Sequence, residues 1–122
     1  MTDVIADTRT VFDPSGVSSL TGHADDLEFA YVFVARFRRL LPERVRRIDA
    51  ALVDKDYKAA MDAVLSLKVS ACTLGASELC ALSGRIEERL RGSDLRGARL
   101  VAEELADAQR RADGALSAFL KG

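Results

Sequence analysis

The sequence predicts an all-α protein, an antiparallel up-down-up-down four-helix bundle with a short N-terminal cover helix. Beyond about residue 24, apolar residues recur every three or four positions, which is the period of an amphipathic helix. No segment alternates apolar and polar residues for long enough to predict a strand. The connections between the predicted helices are short, so consecutive helices should lie antiparallel. The predicted bundle helices span residues 25–53, 55–75, 77–91 and 94–120.

The first bundle helix carries more apolar surface than one core needs. It begins after Gly22-His23-Ala24, and the carboxylates of Asp25 and Asp26 suit the positively polarised start of a helix. Pro42 lies inside it, and the missing amide hydrogen predicts a kink or a short break. We expect a short helix over 14–21 to cover the surplus surface, and residues 1–10 to be flexible. The surplus strip is Phe29, Phe33 and Leu40, and the covering side chains would be Val11, Phe12, Val17 and Leu20.

The second bundle helix has apolar residues on two sides. Its core stripe is Ala60, Val64, Leu67, Ala71 and Leu74. Because a helix turns 100° per residue, Leu65 lies about 100° from Val64 and about 160° from Leu67. Met61, Val69 and Cys72 lie close to the line of Leu65, and these four residues are called the outer strip. An exposed apolar patch with a polar rim marks an interaction site, so the strip predicts either a docking surface or a face covered within the protein or by a second copy.

Length and composition are those of one globular domain over 1–122. The 122 residues, 48% apolar and 30% charged, are enough to bury a single core. The net charge of −1 does not favour nucleic acid or an anionic membrane as a partner. No apolar run approaches the roughly 20 residues of a membrane span, and the N-terminus lacks the pattern of a secretory signal. We therefore expect a cytoplasmic protein with no nucleic-acid or membrane partner.

Cysteine and histidine content argues against a metal or redox centre. Cys72 and Cys80 are too few for a disulfide framework, and in the cytosol they would stay reduced and pack as small apolar residues. Zinc would need more ligands, and the only histidine, His23, lies far away in sequence. Paired catalytic carboxylates and a glycine-rich phosphate loop are absent from the sequence. We predict no catalytic residue, no metal and no cofactor.

The outer side of the second helix resembles the motif of the histidine-containing phosphotransfer (HPt) domain family. The family motif reads His-x-Leu-Lys-Gly-Ser, followed by Leu-Gly-Ala at the end of the helix. This chain reads Leu65-Ser66-Leu67-Lys68-Val69-Ser70, then Leu74-Gly75-Ala76. Weaker matches follow in order along most of the chain: Phe12-Asp13-Pro14, Phe37, Leu41-Pro42, Ile48-Asp49-Ala50-Ala51-Leu52, Asp56, Leu79, Leu82, Ile86-Glu87 and Gly92-Ser93-Asp94. The resemblance implies a helical bundle that acts in two-component phosphorelay signalling.

Two positions depart from the family pattern. The chain has Leu65 where the family has its phosphorylated histidine, and Val69 where the family has a small glycine. Leucine has no lone pair and cannot form a phosphoramidate, and valine adds bulk where a receiver domain must approach. The resemblance therefore implies a pseudo-HPt protein that binds a response-regulator receiver domain or a histidine kinase without carrying phosphate. Its predicted partner-binding residues are Met61, Leu65, Lys68, Val69 and Cys72, with Gly75 as a structural motif residue.

Two alternatives stay open. In the first, the outer strip is the self-association face of a structural bundle, forming a two-fold homodimer. In the second, the chain transfers phosphate through an unrecognised site. His23 precedes the first long helix, where a lone histidine is more often a capping or surface residue. Ser66 and Ser70 flank the motif, but no nearby base would activate them.

Arginines form a basic stretch on the first bundle helix. They are Arg36, Arg38, Arg39, Arg44, Arg46 and Arg47. A solvated helix face is the ordinary interpretation of such a run. The functional interpretation is contact with an acidic surface of a receiver domain.

Overall fold

The computed structural model describes residues 11–13 and 27–122. These residues form five α-helices: α1 Leu27–Val53, α2 Tyr57–Leu74, α3 Ser77–Arg91, α4 Leu95–Ala102 and α5 Leu105–Lys121. α2 packs against both α1 and α3, and α5 closes the bundle by packing against α1 and α3. No strand occurs within the described ranges. The prediction of an all-α bundle is confirmed.

The described part of the N-terminal segment packs at one end of the bundle. Phe12 is buried, and its ring meets the ring of Phe119 edge-on with centroids 5.5 Å apart. Phe29 stays 54% exposed, so the surplus strip of α1 remains partly open. The predicted helix over 14–21 and the predicted flexibility of 1–10 lie outside the described residues.

α1 continues through Pro42 without interruption. Proline removes one backbone donor, but Pro42 is on the exposed side of the helix. Its neighbours Leu41 and Val45 are buried in the core and hold the helix together on the other side. A break at Pro42, one of the two outcomes predicted there, is therefore wrong.

Local backbone chemistry sets both ends of α2. Lys55 has a left-handed backbone with φ of 59°, so the helix begins later than the predicted residue 55. Asp56 caps it by accepting a hydrogen bond from the amide of Ala59 at 3.0 Å. At the other end Gly75 is left-handed with φ of 95°, as predicted for a helix stop. A side chain at Gly75 would collide with the carbonyl oxygen of Asp13, whose amide donates to the Gly75 carbonyl at 2.7 Å.

The predicted single helix over 94–120 is wrong, because it is divided into α4 and α5. Glu103 and Glu104 form the turn between them. The amide of Glu104 donates to the Val101 carbonyl at 2.9 Å, a three-residue step that tightens the chain. Val101 and Leu105 stay buried on both sides of the turn, so the apolar period runs on across it. That period explains why the sequence predicts one continuous helix.

One apolar core joins the helices, and ion pairs connect them at the surface. Ile48, Leu67, Ile86, Leu105 and Leu116 are among the fully buried side chains. Arg38 on α1 donates to Asp113 on α5 at 2.7 Å, and Arg111 on α5 donates to Glu78 on α3 at 2.6 Å. Over the described part of the chain, no helix combines the length and apolar character that crossing a bilayer requires.

Candidate functional site

The outer strip lies on the solvent side of α2. Met61, Leu65 and Val69 follow one another at intervals of four residues, so they stack along one side of the helix. Val69 is 64% exposed, while Met61 and Leu65 are half-buried. Val64, one residue before Leu65, is completely buried. Leu65 therefore lies at the edge between core and solvent and not in the middle of the bundle.

Lys68 is engaged by an acidic residue of the neighbouring helix. Its Nζ donates to Oε1 of Glu87 on α3 at 2.7 Å. Glu87 also accepts from Arg91, one turn further along α3, at 2.7 Å. The Glu87 side chain is mostly buried, whereas that of Lys68 is about two-fifths exposed. The predicted binding residue Lys68 therefore also joins α2 to α3.

This ionic cluster keeps the Glu87 carboxylate charged. The hydrogen bond from Lys68 is the largest cause that holds the pKa of Glu87 below its usual value of 4.5, and the one from Arg91 follows. Burial acts in the opposite direction but is outweighed. A buried carboxylate with two cationic partners is satisfied, so the α3 edge of the outer strip is a stable ionic cluster.

The cysteines form a disulfide, which corrects the expectation of two reduced packing residues. Cys72 is bonded to Cys80 across the α2–α3 connection, with their Cα atoms 4.9 Å apart. The physical reason is the turn at Gly75, which reverses the chain and brings the last turn of α2 beside the first turn of α3. Cys72 remains exposed at the C-terminal end of the outer strip, but as half of a cross-link.

A groove runs beside the outer strip, between α1 and α2. It has a volume of about 240 Å³ and is lined by Phe33, Arg36, Phe37, Leu40, Arg44 and Ser70. We call it the α1–α2 groove. Its lining combines the surplus apolar strip of α1 with two residues of the basic stretch. Together the groove and the outer strip present apolar contact area edged by cations.

The described residues hold no arrangement for covalent or metal chemistry. No histidine lies among them, because His23 falls outside the described ranges. Within those ranges, no three side chains of His, Cys, Asp or Glu come together as metal ligands. Ser66 is exposed and Ser70 lies in the α1–α2 groove, and neither hydroxyl pairs with a possible general base in the described structure.

Sequence reasoning missed two features of this surface. The first is Glu87, which was noticed only as part of a weak motif match and not as the partner of Lys68. The second is that Ser70 adjoins Phe33 and Leu40, which had been assigned to a strip awaiting a cover. The one-dimensional pattern predicts that consecutive helices are neighbours but not which of their side chains meet, so only packing could show these contacts.

Comparisons with known proteins agree with the geometry. The sequence profile of the Hpt domain matches residues 32–119. The crystal structure of the HPT domain from the Hpt sensor hybrid histidine kinase from Shewanella is similar, with a TM-score of 0.78 and 22% identity. That match covers 94% of this chain and 97% of the other, and at this identity it supports the fold alone. No curated protein matches the chain in sequence.

Membership of a protein family indicates the kind of cellular process in which the chain takes part. Hpt domains are phosphotransfer carriers rather than enzymes, and they interact with receiver domains and histidine kinases. The profile match spans α2, α3 and α4 completely and most of α1 and α5. With this coverage and the helical bundle in agreement, the chain belongs to the Hpt domain family of two-component phosphorelay signalling.

Proposed function

We propose that this Hpt-family chain binds a receiver domain or a histidine kinase without carrying the phosphoryl group itself. The observation that carries the proposal is Leu65, which motif similarity aligns with the phosphoacceptor histidine. Its side chain holds only carbon and hydrogen, so it has no lone pair to attack a phosphorylated aspartate. It lies at the edge of an accessible surface, where it supports contact with a partner.

The surroundings of Leu65 support docking in preference to chemistry. Val69, one turn later, presents a branched apolar side chain that is 64% exposed. A desolvated apolar centre with a polar rim is the usual anatomy of a binding interface. Lys68 supplies part of that rim while Glu87 holds it in place.

Binding and phosphotransfer are measured together to test the proposal. Purified receiver domains and histidine kinases from the source genome are titrated with the wild-type chain and with Leu65→Asp. We expect at least one partner to bind the wild-type chain, and Leu65→Asp to weaken that binding at least tenfold, about 1.4 kcal/mol. The matched control Ala81→Asp, on the exposed side of α3, should leave binding unchanged. Absence of any binding, or stable phosphate label on the wild-type chain, would contradict the proposal.

A gain of function tests the assignment of position 65. In Leu65→His/Val69→Gly both departures from the family motif are reversed. If Leu65 occupies the phosphoacceptor position, this variant should acquire acid-labile phosphate from a phosphorylated receiver domain that binds it. The control Ser66→His places an imidazole one residue away, on the exposed side of α2, and should stay unlabelled. Equal labelling of both variants would show that position 65 is not special.

A self-associating bundle is the second candidate. Exposed apolar side chains favour it, since Phe29 and Val32 of α1 are exposed as well as Val69 of α2. Such a surface could be covered by a second copy in a two-fold dimer. Sedimentation of the wild-type chain and of Leu65→Asp separates the candidates. A dimer that Leu65→Asp converts to a monomer, in a protein that binds no receiver domain, would favour self-association.

A further inference from the structure

Two arginines of α1, Arg36 and Arg44, line the α1–α2 groove beside the outer strip. Arg36 and Arg44 make no ion pair with any residue that the structure describes. Arg38, from the same basic stretch, is held by Asp113 of α5 at 2.7 Å. The stretch is therefore not uniform, because it contains both structural and unpaired guanidinium groups.

The unpaired arginines flank the apolar floor of the α1–α2 groove. Arg36, Leu40 and Arg44 are spaced four residues apart, so they lie along one side of α1. Each arginine is about 6 Å along the helix axis from Leu40, from the rise of 1.5 Å per residue. Phe33 and Ser70 complete the floor between α1 and α2. A ligand segment in the groove would contact apolar side chains with a cation at either end.

Two carboxylates of α2 and α3 that lie near the outer strip already have cationic partners. Asp62 on α2 pairs with Lys58 at 3.0 Å, and Glu87 on α3 accepts from both Lys68 and Arg91. Over residues 11–13 and 27–122, no side chain that lines the α1–α2 groove is acidic. The surface formed by the α1–α2 groove and the outer strip therefore carries excess positive charge, although the whole chain has a net charge of −1.

The surroundings of Arg47 show that the excess positive charge is local. Arg47 lines a separate groove together with Asp54, Asp56 and Asp62, so carboxylates share that groove with it, although Asp62 also pairs with Lys58. Among the described residues that line the α1–α2 groove with Arg36 and Arg44, none carries a carboxylate. Positive potential is therefore concentrated beside the outer strip.

We propose that the α1–α2 groove receives an acidic segment of the receiver domain, whose carboxylates pair with Arg36 and Arg44. This inference rests on the proposed function and assigns the arginines a role in selecting the partner. Charges at the rim of an interface mainly raise the association rate and reject partners of like charge. Their effect is screened by salt, since the Debye length falls from about 10 Å at 0.1 M to about 3 Å at 1 M.

The test measures association kinetics with one probe, the receiver domain that binds the wild-type chain most tightly in a panel of purified receiver domains. Arg36→Glu/Arg44→Glu should lower the association rate constant at least tenfold in 50 mM salt. The difference should shrink to less than threefold in 1 M salt. Arg36→Gln/Arg44→Gln should show a smaller loss in the same direction, since it removes charge without reversing it.

The matched control is Arg96→Glu/Arg99→Glu on α4. These arginines are exposed and make no ion pair within the described chain. Two Arg→Glu substitutions change the net charge by the same amount at either site. This control should lower the association rate constant less than threefold. Thermal melting checks that every variant remains folded.

Several outcomes would overturn the inference. Equal losses in the two glutamate variants would show that only net charge matters. No loss in Arg36→Glu/Arg44→Glu, with Leu65→Asp still defective, would refute the role of the groove and leave the proposed function standing. Failure of every receiver domain to bind the wild-type chain would refute both.

Discussion

On the inner side of α2, Val64 and Leu67 are completely buried, whereas on the outer side Val69 is 64% exposed and Leu65 half-buried. The two sides have the same residue types in neighbouring positions of one helix. Removal of a buried apolar side chain costs transfer free energy and leaves a cavity, whereas an exposed one loses little. The comparison shows that residue type alone does not distinguish a side chain that stabilises the fold from one that is accessible to a partner. The position of the side chain relative to the core distinguishes them.

The largest expected difference is between Leu67→Ala and Leu65→Ala. Leu67→Ala should lower the free energy of unfolding by about 2–5 kcal/mol, because it opens a cavity in a fully buried site. Leu65→Ala should lower the free energy of unfolding by less than about 1 kcal/mol, because solvent can fill the space that the shortened side chain leaves. Urea denaturation of both variants measures the difference. Equal losses would mean that Leu65 is a core residue, which would break the comparison.

The disulfide extends the comparison to the end of the outer strip. Cys72→Ser/Cys80→Ser should lower the free energy of unfolding by about 2–3 kcal/mol, as expected when a short closed loop is released. Denaturation of the wild-type chain with and without a dithiol reductant measures the same quantity. The double variant serves as the control, since reductant should leave its stability unchanged. If reductant left the wild-type chain equally stable, the cross-link would have no structural role.

A pair of nearly isosteric substitutions sharpens the contrast further. Val64→Thr places a hydroxyl in a completely buried site and should cost about 1–3 kcal/mol. Val69→Thr places the same hydroxyl in solvent and should change stability by less than about 0.5 kcal/mol. Thermal melts of the two variants give the comparison. A large loss at Val69 would show that something covers it in solution.

The smallest expected effect concerns pH and Glu87. Its pKa is lowered in the folded protein, mainly by the hydrogen bond from Lys68, so its contribution to stability is complete above the usual value of 4.5. That contribution is lost as the pH falls from 4.5 through the lowered pKa. Glu87→Gln should therefore destabilise the protein at pH 7 by about 1 kcal/mol. Denaturation at pH 7 and at pH 3 should show the gap from wild type narrowing on acidification; a constant gap would exclude this linkage.

The angular spacing of residues on a helix correctly predicted that α2 has two separate apolar sides. The expectation that Leu65 lies away from Leu67 follows from 100° per residue and depends on no other part of the chain. Gly75 was likewise recognisable as a helix stop, since glycine adopts the left-handed backbone that it has here. The docking role of Met61, Leu65, Lys68, Val69 and Cys72 stays a prediction.

The sequence did not predict which side chains of different helices contact each other. Cys72 and Cys80 were expected to stay reduced and pack as small apolar residues, because compartment and cysteine count were the only guides. The division of 94–120 was missed because Val101 and Leu105 keep the helical period across the turn. In both cases the local pattern is compatible with two structures, and packing selects one of them.

By itself the sequence determined the all-α class, the inner stripe of α2, the stop at Gly75 and the Hpt-like motif with leucine at position 65. These features are local, because they depend on helical period and on the chemistry of single residues. Tertiary structure alone decided that Lys68 meets Glu87, that Cys72 meets Cys80 and that Arg36 and Arg44 flank an apolar groove. The physical reason is that charge pairing and cross-linking depend on distances between helices, and these are set by how the buried side chains pack.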